Sequence, residues 1–113
     1  MKGHVMTLSL NEYQKRANTT AIYPQATAFP YLATGLASEA GEVAGLVSKG
    51  IRGDHMGMVS HDDLVKEIGD VLWFVSQLAT HMDIDLSEVA KINIAKLEDR
   101  KKRGTLRGSG DNR

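Results

Sequence analysis

Two stretches decide how the chain reads: Leu36-Ala37-Ser38-Glu39-Ala40-Gly41-Glu42-Val43-Ala44 and Lys66-Glu67-Ile68-Gly69-Asp70-Val71-Leu72-Trp73-Phe74. Wound at about 100° per residue, each falls within a longer apolar arc. The first belongs to an arc of Leu32, Leu36, Val43, Leu46 and Val47, with Glu39 inside it and Glu42 at its edge. The second belongs to a stripe of Leu64, Ile68, Val71, Leu72, Val75 and Leu78. Glu67 lies on the flank of that stripe, near Phe74 and Leu78, and Asp70 one step further out. No segment alternates with a sustained period of two, and no Asn-Gly or Asp-Gly hairpin signal occurs. The chain reads as all-α.

Working outward, Ser9-Leu10-Asn11-Glu12 has capping-box spacing and starts a first, short helix that fades by about Thr20. Residues 20–29 read as a loop. Pro30 suits the first turn of a second helix running to about Lys49, and Gly50, Gly53 and Gly57 predict a flexible connection over 50–60. Ser60 with Asp63 caps a third helix reaching about Met82. Asp85 with Glu88 repeats the pattern for a fourth, from Leu86 to about Arg103. The expected architecture resembles a four-helix bundle, with three long helices and a short leading one. Residues 1–104 form the domain, and 105–113 a flexible basic tail.

The 113 residues suit a single domain. Net charge is zero but unevenly spread: residues 1–99 carry 8 basic and 13 acidic residues, and residues 100–113 carry 6 and 1. That pattern argues against a general nucleic-acid coat protein and points to cations in the body. With no Cys, disulfides, thiolate zinc sites and thiol catalysis are excluded. No apolar run approaches the ~20 residues of a membrane span. Met1-Lys2-Gly3-His4-Val5 lacks a signal-peptide stretch, so the cytoplasm is the expected location.

Each of the two central helices presents carboxylates at i and i+3, which share a face. A lone E-x-x-E is ordinarily solvated surface. Two such pairs leaning into core arcs repel one another and suffer desolvation, and a divalent cation relieves both. Hard oxygen donors without His or Cys favour Mg²⁺ or Mn²⁺, with Ca²⁺ open on ligand type. On the fourth helix Asn93 sits inside a stripe of Leu86, Val89, Ala90 and Leu97, with Lys96 and Arg100 on its flank. These three either face the carboxylates or are a core amide and two surface cations. Lys49 and Arg52 are weaker phosphate candidates. Gly41 and Gly69, each between the carboxylates of a pair, suggest close helix approach, since Gly costs about 1 kcal/mol in a helix. Trp73 projects away from the stripe, toward either a base or a subunit interface. His4, His55, His61 and His81 show no metal-ligand spacing and read as surface.

Taken in order, Glu39-x-x-Glu42, Glu67-x-x-Asp70 after a 24-residue spacer, and Asn93-Ile94-Ala95-Lys96-Leu97-Glu98-Asp99-Arg100 resemble the MazG-type nucleoside triphosphate pyrophosphohydrolases, of the all-α NTP pyrophosphatase superfamily. The resemblance spans roughly residues 9–104. It implies hydrolysis of a nucleoside triphosphate, with dNTP foremost, to the monophosphate and pyrophosphate. It further implies Glu39, Glu42, Glu67 and Asp70 as Mg²⁺ ligands, with Mn²⁺ a substitute. Glu39 or Glu42 would be the proton acceptor, and Asn93, Lys96 and Arg100 the nucleotide contacts. A homodimer or homotetramer is expected, with no membrane and no nucleic-acid polymer as partner. The Gly-rich 50–60 link departs from the pattern, so no substrate contact is carried over there. A di-iron oxidase would need E-x-x-H, and no Glu here has His at +3. A non-enzymatic helical dimer with a vestigial metal site is the alternative.

Overall fold

The computed structural model describes residues 7–113, and no strand occurs among them. Four helices carry the fold: α1 (Leu10–Asn18), α2 (Ala28–Arg52), α3 (His61–His81) and α4 (Leu86–Arg103). Short 3-10 turns at Gln25–Thr27 and Asp54–Gly57 precede and follow α2.

The helix ends follow from local chemistry. Ser9 Oγ accepts from the Glu12 N–H at 3.1 Å and donates to the Glu12 carboxylate at 3.0 Å. At the other end of α1, the Thr19 and Thr20 hydroxyls donate to the Arg16 and Ala17 carbonyls at 2.6 and 2.7 Å. These bonds satisfy acceptors that the helix leaves open. Ser60 caps α3 by accepting from the Asp63 N–H at 3.3 Å. α2 is longer than expected at both ends. Pro30 falls in its first turn, where a missing N–H breaks no bond, and Gly50 continues the helix, buried against Val59.

Asp85 precedes α4 without a side-chain cap bond, contrary to the capping pattern in the sequence. The cap comes from α1 instead. Gln14 Oε1 accepts from the Leu86 N–H at 2.8 Å, and Asn11 Oδ1 from the Ser87 N–H at 2.9 Å. Gln14 Nε2 also donates to Thr80 Oγ1 and to the Ile84 carbonyl, at 3.2 and 3.0 Å. One nearly buried amide therefore ties α1 to the α3–α4 turn.

α2 and α3 form the main packed pair. Gly35 meets Phe74, and one turn further along α2 Glu39 approaches Asp70, one turn back along α3, so the two helices run antiparallel. The Phe74 ring occupies the space a side chain at Gly35 would need. Leu32, Ala28, Ala79, Ala17 and Leu86 are the buried apolar residues. The buried face of α3 is more polar than its stripe suggests. Ser76 and Gln77 are fully enclosed, whereas Ile68 and Leu72 remain 54% and 37% exposed. Gln77 Nε2 donates to Asn18 Oδ1 and Tyr23 OH, each at 3.0 Å, holding the α1–α2 connection on α3. α4 packs on α1 and α3 and, among the described residues, not on α2. Among the described residues, no helix is long and apolar enough to cross a membrane.

Candidate metal centre

The antiparallel α2–α3 pairing brings its acidic residues to one level. Glu39, Glu67 and Asp70 each offer a carboxylate oxygen, all within 4.8 Å of one another. Glu39 and Glu67 are half-buried and Asp70 is exposed, so the cluster opens to solvent on one side. Burial raises the Glu39 carboxyl above its ordinary value, and the charges of Asp70, Glu67 and Glu42 push the same way. A hydrogen bond to Glu67 adds to this by favouring a protonated Glu39. Glu42 is exposed and outside the converging trio, although its charge is felt at Glu39.

The basic side is arranged differently from the sequence expectation. Asn93 is exposed rather than enclosed, because α4 leans on α1 and leaves its own stripe partly open: Val89 is 37% and Leu97 39% exposed. Lys96 and Arg100 do not reach across to α2 in this chain. Lys96 Nζ lies 3.1 Å from an Asp111 carboxylate oxygen, and the Arg100 guanidinium donates to the Asp111 and Gly110 carbonyls at 2.7 and 3.3 Å. Arg52 pairs with Asp54 through two nitrogens, and Lys49 is exposed. Gly41 and Gly69 face open space, so close helix approach does not account for either.

Trp73, one turn after Asp70, is half-buried by contacts within the chain. Its indole N–H donates to Thr20 Oγ1 at 2.8 Å, and its ring meets Tyr23 and Phe74 edge-on. Beside it a cleft of about 490 Å³ is lined by Leu8, Tyr13, Arg16, Ala17, Thr19, Thr20 and Trp73. Burial raises the Tyr13 phenol above its ordinary value and the Asp70 charge adds to it, which places Tyr13 within the field of the acidic cluster. Sequence reasoning assigns Tyr13 no role. Its only signal is weak: Tyr13, Ala17 and Thr20 share a face at helical spacing. His81 stacks on Phe29, His55 lies in the 53–58 connection, His61 is 3.5 Å from Asp62, and His4 lies outside the described residues.

Residues 29–105 match the model of the MazG nucleotide pyrophosphohydrolase domain. The chain is also similar to the Gene 37 protein of Mycobacterium phage L5, at 46% identity over 110 residues, covering 89% of this chain and 96% of that protein. No solved structure matches it. The matched segment takes in both acidic pairs and the Asn93–Arg100 block. With four helices and no strand among its described residues, and the paired carboxylates on adjacent antiparallel helices, the chain belongs to the MazG nucleotide pyrophosphohydrolase domain family.

Proposed function

We propose that the protein is a Mg²⁺-dependent pyrophosphohydrolase that cleaves a nucleoside triphosphate, with dNTP foremost, to the monophosphate and pyrophosphate. Clearing unwanted nucleotides from the cytoplasmic pool is its expected task. The observation that carries this reading is the convergence of Glu39, Glu67 and Asp70 from two helices onto one solvent-open point. Three mutually repelling carboxylates, all hard oxygen donors, fit a divalent cation such as Mg²⁺, with Mn²⁺ as a substitute. Glu39, Glu67 and Asp70 would hold it, with Glu42 at the rim. Bound there, the ion would offset phosphate charge and acidify water.

The chain's own groups supply the rest. Glu39, at the centre of the acidic residues, and Glu42, left outside the trio, are the two carboxylates suited to accept a proton from the attacking water. The cleft walled by Tyr13 and Trp73, the latter one turn after Asp70 on α3, receives the nucleoside end of the substrate. Asn93, Lys96 and Arg100 contact the nucleotide or its phosphates, and self-association to a dimer or tetramer covers apolar residues left open on α3 and α4.

The test is phosphate release from a panel of dNTPs and NTPs, coupled through inorganic pyrophosphatase, with and without Mg²⁺. Release with at least one nucleotide, dependent on both the metal and the coupling enzyme, is the expected result. Silence across the panel, or orthophosphate released without the coupling enzyme, would overturn the reading.

A further inference from the structure

The segment after α4 turns back onto that helix. Gly108 and Gly110 take φ of 123° and 84°, in the region open to glycine, and these two residues reverse the chain. The Arg113 guanidinium then closes the loop, donating to the carbonyls of Gly110, Leu106 and Thr105 at 2.7, 3.0 and 3.2 Å. Asp111 is the single acidic side chain in residues 100–113, a stretch with 6 basic residues. It lies 3.1 Å from Lys96 Nζ and 3.5 Å from an Arg100 nitrogen. The Gly110 and Asp111 carbonyls accept from that same Arg100 nitrogen, leaving Arg100 only 4% exposed, with Nε enclosed and unpartnered. A carboxylate and two carbonyls on one lysine and one arginine present the oxygens that a phosphate group would.

We propose that residues 105–113 form an internal strap, with Asp111 standing on Lys96 and Arg100 as a surrogate for a substrate phosphate, so that polyphosphate must displace the strap to bind. This rests on the reading of Lys96 and Arg100 as phosphate contacts. The strap is poised to yield, since Asp111 is 84% exposed at its side chain and water competes for it.

The test uses the full-length chain and tripolyphosphate as probe, titrated by calorimetry at low salt in EDTA, so that the acidic cluster takes no part through a metal. Asp111→Asn should tighten binding about three- to tenfold. Asp99→Asn removes an equal charge beside Arg100, from a carboxylate paired with Arg103 instead, and should change affinity less than about twofold. In the wild type, tripolyphosphate should also speed tryptic cleavage after Arg107. Equal affinity of wild type and D111N, or an equal gain from D99N, would overturn the strap. If Lys96→Ala abolishes binding while D111N has no effect, the strap falls and the phosphate-contact reading stands. If Lys96→Ala placed on D111N leaves the affinity unchanged, both fall.

Discussion

Glu39 shows how one side chain links fold and site. It sits inside an apolar arc, half-buried, facing Glu67 and Asp70 across the helix pair, and its carboxyl is raised by burial first and by the neighbouring charges next. A carboxyl whose folded value is raised binds protons more readily folded than unfolded, so its ionisation weakens the fold. The metal-free protein should therefore gain stability as pH falls through the raised Glu39 value toward the ordinary glutamate value, opposite in sign to a salt-bridged carboxylate. Glu39→Gln should mimic that gain at neutral pH, raising Tm in EDTA by about 2–6 °C; a gain of 1 kcal/mol is worth about 4–8 °C in a domain of this size. The wild type should show a Mn²⁺-induced rise in Tm, and the same variant should lose it. A lower Tm for the variant in EDTA would mean that Glu39 is held by favourable contacts instead of repulsion.

The helical glycines separate by environment once α2 and α3 are placed. Gly35 and Gly69 both look like weak points in a helical pattern, but Phe74 fills the space beside Gly35 while nothing stands beside Gly69. Gly35→Ala should destabilise the protein by about 1–3 kcal/mol through overpacking. Gly69→Ala should stabilise it by about 0.5–1 kcal/mol, the helix-propensity difference. Urea unfolding of the two variants checks both signs, and a loss at both positions would show that the space beside Gly69 is filled in solution. At this scale the helices and their Ser9 and Ser60 caps were legible, since each depends on residues three or four apart. The cap of α4 was not, because Gln14 and Asn11 lie more than 70 positions from the N–H groups they satisfy.

Across the whole molecule, the radius of gyration of 17.3 Å exceeds the roughly 13 Å of a compact domain of this length. α4 stands clear of α2, and Val65, Ile68 and Leu72 form an open apolar row on α3, 53%, 54% and 37% exposed. Apolar surface of this kind is ordinarily covered by another chain. Sedimentation at micromolar concentration should show a dimer or larger, and Leu72→Lys should shift it toward the 12.3 kDa monomer. A single wild-type species at 12.3 kDa would contradict this. The sequence reading pointed Trp73 toward either a base or a subunit interface; in the chain that half-buried ring meets Thr20, Tyr23 and Phe74. The row that remains open lies on another face of the same helix.

The sequence by itself determined the all-helical class, the helix order and the two acidic pairs, because helical periodicity and capping are local and a carboxylate inside an apolar arc is conspicuous without coordinates. Tertiary structure alone decided which carboxylates meet. The antiparallel register of α2 on α3, set where Phe74 seats against Gly35, brings Glu39 to Glu67 and Asp70 and leaves Glu42 at the rim. It also decided that Asn93 is exposed, that Arg100 is buried under its own following segment, and that Tyr13 feels the charge of Asp70. Each of these depends on how one helix is set against a distant part of the chain, and helical periodicity carries no information about that placement.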